Sequence, residues 1–260
     1  MTENSIPHIA ENRKPLNQYA IQTDAQRRNG GGLGRCEKSF YKFAQIKRYM
    51  NRQLPVLTSK FGSGCIIDMH AGDGKPTPFP TPDFFVGGSL ETTPTLAIAA
   101  ARFFDADVIL CEKNKGQRQY LNDHYGAAAC VIGDHFKLHE MAEQVAAYPW
   151  ILVINDPNGH GDQGVATMQW LAKLVPVSDF IVVVNCFAIR RCLGLKPNHP
   201  EKSIQLARQS GLDNAWMLDP EQWKAKLNKR EVLAGKPTRL SNAMEAQILL
   251  VSNWIAGYGK

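Results

Sequence analysis

Cys65-Ile66-Ile67-Asp68-Met69-His70-Ala71-Gly72-Asp73-Gly74 is the stretch on which the fold turns. A short apolar run delivers one carboxylate, then gives way to a turn carrying two glycines. Strands covered on both faces by helices show this nearly continuous hydrophobicity. The glycines let the backbone bend tightly and approach a ligand with no Cβ between them. Runs of the same texture follow at Val108–Cys111, Cys130–Ile132, Ile151–Ile154 and Phe180–Val184, with a late one from Ala246 to Ser252. Helical periodicity fills the intervals at 93–104, 115–125, 136–147 and 164–175. The alternation predicts an α/β domain around a mainly parallel sheet with helices on both faces.

Ahead of this core, Phe40, Phe43, Ile46, Met50 and Leu54 recur at spacings of three or four. They predict an amphipathic helix over 40–54, with Lys42, Lys47, Arg48 and Arg52 on its other faces. Residues 1–39 hold Pro7, Pro15 and a Gly30–Gly34 run bracketed by arginines, and read as a flexible basic arm. The remainder, 40–260, reads as one domain. Within it, residues 190–239 are broken by Pro197, Pro200, Gly211, Pro220 and Pro237. That stretch reads as a basic, less regular lobe beside the sheet, with helices expected at 200–210 and 221–229.

The formal net charge of +6 is segregated along the 260 residues. Residues 1–60 carry 11 Lys/Arg against 4 Asp/Glu, residues 61–189 carry 7 against 14, and residues 190–239 carry 11 against 5. An acidic centre between basic flanks suits a polyanionic partner, since clustered cations attract phosphate backbones whatever their sequence. Nucleic acid is therefore expected at residues 1–54 and 190–239. The six cysteines, Cys36, Cys65, Cys111, Cys130, Cys186 and Cys192, include no CxxC pair. This disfavours a disulfide framework and a zinc ribbon and suits a reducing cytoplasm. The absence of an 18-residue apolar run and the polar start argue against a membrane span or a secretory leader.

In open α/β sheets, ligands bind beyond the carboxyl ends of the strands. There the successive runs deliver Asp68, Glu112, Asp134 and Asp156-Pro157-Asn158-Gly159, then Asn185-Cys186. A nucleoside with ribose hydroxyls and an exocyclic amine needs such acceptors. Glu112 would take the ribose hydroxyls, Asp134 the adenine amine, and Asp68 the ammonium of an amino-acid moiety. A dinucleotide fingerprint is lacking: Thr77 stands where its third glycine belongs, and Glu112 lies 38 residues beyond Gly74. A phosphate-loop motif is lacking too, because Gly74-Lys75 is followed by proline.

In these motifs the chain resembles the class I S-adenosylmethionine-dependent methyltransferases. Asp68-x-x-Ala71-Gly72-x-Gly74 matches their first motif, Glu112 the acidic end of the second strand, Asp134 the third motif, and Asp156-Pro157 the fourth. More narrowly it is similar to the three-Cys-motif partner (TcmP) family, on Tyr41-Lys42 and Lys47, Asp68–Gly74, Gly88-Ser89-Leu90, Gly133-Asp134 and Asp156–Gly159. The resemblance covers roughly 40–190. It implies a Rossmann-like fold with an antiparallel last strand and S-adenosylmethionine as cofactor, held by Asp68, His70, Gly72, Gly74, Glu112 and Asp134. It further implies direct methyl transfer to a nucleic-acid base amine, DNA favoured over RNA, with Asp156, the Pro157 carbonyl and Asn158 orienting the amine. Because that family lies beside phage-associated genes, the alternative is a catalytically atypical binding partner for a neighbouring gene's enzyme.

Two departures from the family pattern bear on that expectation. Lys75 to Thr92, rich in proline and containing Phe79, Phe84 and Phe85, separates the glycine turn from its helix and reads as a lid. Asn158 stands where base-amine enzymes carry an aromatic that stacks on a flipped base. Stacking would then fall to Phe84, Phe85 or Phe187. Cys186, His135 and His139 read as structural, and no metal is expected.

Overall fold

The computed structural model describes residues 37–75, 77–78, 89–90, 92–157, 164–186, 189, 215–235 and 246–255. The basic arm to residue 36, most of the expected lid with its phenylalanines, Asn158, Phe187 and the expected 200–210 helix lie outside them.

Seven strands form one sheet: β1 (Cys65–Asp68), β2 (Asp107–Cys111), β3 (Cys130–Ile132), β4 (Ile151–Asn155), β5 (Ser178–Val184), β6 (Glu231–Ala234) and β7 (Gln247–Ser252). Their order across the sheet is β3-β2-β1-β4-β5-β7-β6. The first five run parallel, while β7 is antiparallel to both β5 and β6. The helices are α1 (Glu37–Phe61), α2 (Thr93–Phe104), α3 (Lys115–Tyr125), α4 (Ala142–Ala146), α5 (Val165–Leu174) and α6 (Pro220–Lys226). A two-residue ribbon pairs Thr77–Pro78 with Ser89–Leu90.

The sheet separates two cores. Ile66, Leu110, Leu152, Ile154, Ile181 and Leu250 face α1, α2 and Leu121 of α3. Their strand neighbours Ile67, Ile109, Val153, Val182 and Val251 face Leu138, Met168, Leu171 and Trp223. Successive strand residues thus serve opposite faces, so β1, β4 and β5 are buried throughout, and their sequences could not alternate with polar residues.

Helix α1 runs past the expected end at Leu54, straight through Pro55, to Phe61. Proline costs a helix one backbone hydrogen bond, but Leu57 is only 1% exposed, and burying it outweighs that loss. The helix is clamped to the far side of the sheet. The Tyr49 hydroxyl donates toward the Leu233 and Ile248 carbonyls, and Gln53 Nε2 donates to Asp179 Oδ2 at 2.8 Å and to Ser252 Oγ at 3.1 Å. Burial pushes the Asp179 carboxyl up to about 6.

Two readings change here. The stretch expected as helix over 136–147 splits into a 3-10 helix (His135–Met141) and the short α4. Within the basic 190–239 stretch, residues 231–234 form β6, an edge strand of the main sheet. Its burial pattern is mixed, because an edge strand packs against one neighbour only and its sequence is correspondingly less apolar.

At the amino-terminal ends of the strands, Gly64 lies against Trp150, whose Nε1 donates to the Gly62 carbonyl at 2.6 Å. A Cβ on Gly64 would stand 2.3 Å from the indole ring. Gly64→Ala is expected to destabilise the fold by about 2–3 kcal/mol, as overpacking does in a fixed core. Urea unfolding checks this, and an unchanged midpoint would contradict it.

Candidate functional site

Strand β1 is the middle one of the five parallel strands, where the order reverses between β2 on one side and β4 on the other. A crevice opens at such a point beyond the carboxyl ends of the strands. Past β1 the backbone is divided between its neighbours: the Met69 N–H donates to the Ile154 carbonyl of β4, and the Ala71 N–H to the Cys111 carbonyl of β2. The glycine turn follows. Gly72 and Gly74 both have left-handed φ, of 65° and 60°.

The two glycines do different work. A Cβ on Gly72 would meet nothing within 4 Å, so the space above it is open. A Cβ on Gly74 would lie 2.7 Å from Leu121 of α3. The Gly74 carbonyl accepts from the Tyr125 hydroxyl at 2.9 Å and the Thr92 hydroxyl at 3.3 Å, which ties the turn to α3 and to the start of α2. Gly74→Ala is expected to cost about 2–3 kcal/mol, through steric crowding and an unfavourable φ. Chemical unfolding is the measurement, and a stability equal to wild type would contradict this.

Asp68, the last residue of β1, is fully buried. Its Oδ1 accepts from the His70 N–H at 3.1 Å, while its Oδ2 is buried with no hydrogen-bond partner. Burial pushes this carboxyl up to about 7, with Asp156 and Glu112 adding to the rise and Thr93 and the His70 N–H opposing it. Glu112, just past β2, is 8% exposed and accepts from the Asn114 N–H at 2.7 Å. Burial raises it as well, against the backbone N–H groups of Asn114 and Gly72 and the charges of Lys113 and Arg118. Asp156 and Glu112 are thus both near enough to Asp68 for their charges to raise it.

Asp134, past β3, caps the 3-10 helix by accepting from the Phe136 N–H at 3.4 Å, and lies 3.5 Å from His135 Nε2. The His135 ring is buried, with Nδ1 2.9 Å from the Thr167 hydroxyl. His70 packs edge-on against it, with ring centroids 5.2 Å apart. Burial, then His135, pulls His70 down to about 4 against Asp156, Asp134 and Asn155, so the ring is neutral at physiological pH. Its Nε2 is buried with no hydrogen-bond partner.

Across the crevice, Asp156 follows β4. Lys42 of α1 reaches it, with Nζ 2.6 Å from Oδ2, the side chains being 21% and 10% exposed. Lys42, expected on a face of the first helix away from its apolar stripe, in fact turns its ammonium to a buried acid. Lys42 stands one turn ahead of Ile46 and two ahead of Met50, at the head of the buried stripe. A lysine at the end of an apolar i, i+4 series was the signal. Pro157 is half-buried beside it. Cys186 is buried, with Sγ 3.5 Å from the Val184 carbonyl. Among the described residues no group of His, Cys, Asp and Glu is arranged to hold a metal ion.

An open groove of about 600 Å³ lies at the opposite end of the sheet and is lined in part by Lys173, Lys226 and Lys229. Lys173 and Lys226 stand in the last turns of α5 and α6, where cations complement the helix dipole. Lys229 donates to Ser178 Oγ at 2.9 Å. These roles account for the three lysines without a ligand.

No family model matches the chain, and no curated protein does. Among solved structures it is similar to protein LPL1258 of Legionella pneumophila, at 15% identity and a TM-score of 0.50 over 80% of this chain and 84% of that one. It also aligns with the Methanococcus jannaschii fibrillarin, a pre-rRNA processing protein, at 14% identity and a TM-score of 0.44 over 74% and 67% of the two chains. A precorrin-6y C5,15-methyltransferase of Geobacter metallireducens aligns at 8% identity and 0.37 over 79% and 89%. No helix among the described residues is long and apolar enough to cross a membrane. The sheet order, the antiparallel β7 and the helices on both faces give this chain the Rossmann-like fold of class I methyltransferases.

Proposed function

We propose that the protein is an S-adenosylmethionine-dependent methyltransferase acting on a nucleic acid, at a base amine, of the kind the three-Cys-motif partner resemblance implies. One observation carries the reading. The fully buried Asp68 carboxyl ends its strand just ahead of an open glycine turn, feels the charges of Asp156 and Glu112, and has within normal hydrogen-bond geometry no partner for Oδ2, the Thr93 hydroxyl being its one nearby side-chain donor. A buried carboxylate kept at such a cost calls for a cationic or donor-rich ligand.

The residues present fit that cofactor. The unpartnered Asp68 oxygen suits an ammonium group, Glu112 a ribose diol, and the space above Gly72 a close approach to backbone. Asp134, already a helix cap with one oxygen, retains capacity for an exocyclic amine. His70, neutral and with Nε2 unpartnered, lines the same end of the sheet. When bound, the cofactor supplies a methyl group already activated on a sulfonium.

The chain then has to position the acceptor, since alignment at near-attack distance supplies most of the rate. Asp156 accepts from the N–H of the amine, the Pro157 carbonyl takes the second N–H, and Asn158 completes the cradle. The carboxylate receives the proton that the methylated nitrogen sheds. DNA is the favoured polymer, drawn by the basic residues of 1–54 and of 190–239 other than Lys226 and Lys229, which stand at the opposite end of the sheet.

Labelled methyl transfer to DNA and to RNA tests the reading. We expect label in digested nucleotides as a methylated amine, with binding that weakens steeply as salt rises. Label confined to small molecules or protein would contradict it.

A further inference from the structure

We infer that Lys42 makes methyl transfer conditional on a phosphate beside the acceptor. Its ammonium occupies the Asp156 carboxylate in the free protein, and the phosphate of a nucleic acid draws it away so that the carboxylate can receive the amine. The inference rests on the methyltransferase reading above and adds to it a reason for choosing polymers over free nucleosides.

The first ground is competition for one group. Lys42 Nζ lies 2.6 Å from Asp156 Oδ2, within charge-assisted hydrogen-bond range. An incoming amine needs the same carboxylate as acceptor, and a neutral N–H donor does not displace an ammonium from a pair only 10% exposed on the acid side. The pair must open before the acceptor can seat.

The second ground is that the helix carrying Lys42 is anchored while the Lys42 side chain itself reaches solvent. Helix α1 is pinned through Tyr49 to the Leu233 and Ile248 carbonyls, and through Gln53 to Asp179 and Ser252. The Lys42 side chain keeps 21% exposure and so reaches solvent. In the same position its Nζ lies 4.7 Å from the centroid of the Phe43 ring, a cation–π contact made together with the ion pair.

The third ground is charge. The charge of Asp156 is felt at Asp68, so withdrawing the ammonium leaves Asp156 near a second acid without its counter-charge. A free nucleoside offers Lys42 nothing in exchange. A phosphodiester offers an anion that accepts from the ammonium hydrogens.

The test compares wild type, Lys42→Met and Lys42→Arg, each with labelled S-adenosylmethionine. The acceptors are an equimolar pool of free nucleosides and random-sequence single-stranded DNA and RNA oligonucleotides. We expect wild type to favour oligonucleotides, Lys42→Arg to keep that preference, and Lys42→Met to lower it by about tenfold through faster nucleoside methylation. Lys42→Gln gives the same ratio by a second route if the methionine variant folds poorly. An oligonucleotide-to-nucleoside ratio equal in wild type and Lys42→Met, with wild-type oligonucleotide methylation intact, overturns the inference. Wild-type protein that methylates neither substrate overturns the functional reading itself.

Discussion

Asp68→Asn is expected to yield a protein that is more stable than wild type and unable to bind its cofactor. The ordinary aspartate value is 3.8, and burial lifts this one to about 7. Between those values the native state holds a proton that the unfolded chain has released. The Asp68 contribution therefore erodes stability as pH rises from about 4 to about 7, and the full cost is present above that. The gap corresponds to on the order of 4 kcal/mol. Asparagine keeps an oxygen for the His70 N–H but leaves its own amide buried beside the other carboxylates, which returns part of the gain. A net gain of about 2 kcal/mol, or about 5 °C in melting temperature, is expected at pH 8. Near pH 4 the gain should vanish. In exchange, the ammonium of a cofactor would lose its counter-charge, with affinity falling by about 100-fold. A lower melting temperature at pH 8, or unchanged affinity, would contradict this account.

The second large effect is expected at Asp156. Asp156→Ala should retain cofactor affinity within about threefold, because the residue stands on the acceptor side of the crevice, while transfer falls by about 1,000-fold. The same substitution leaves the Lys42 ammonium half-buried without its carboxylate. A small loss of stability, about 1 kcal/mol, should accompany the loss of transfer. Single-turnover rates with saturating nucleic acid separate the two effects. Transfer within tenfold of wild type would remove Asp156 from the mechanism.

Strand identities were legible because burial on both faces leaves no room for polar alternation. The runs expected at 65–69, 108–111, 130–132, 151–154, 180–184 and 246–252 each fall on a strand, with bounds that differ by one or two residues at five of the six. The carboxylates that end them were legible for the same reason: an acid directly after a buried strand has one place to go. Glu231–Ala234 was not, since an edge strand needs apolar residues on one side only and reads as loop. The extent of α1 was hidden by Pro55, whose local cost is visible in sequence while the compensating burial of Leu57 is not. Lys42 was misplaced because a charged residue counts as solvent-facing until a buried partner is found for it. Its partner lies 114 positions along the chain, beyond any local pattern.

The most direct test of the account is calorimetric titration of the wild-type protein with S-adenosylhomocysteine at pH 8, beside Glu112→Ala. One saturable heat per chain, weakened about 100-fold in the variant, is the predicted result. Absence of heat from a folded wild-type protein, or equal affinity in the two proteins, would contradict the claim that these strand ends form a nucleoside site.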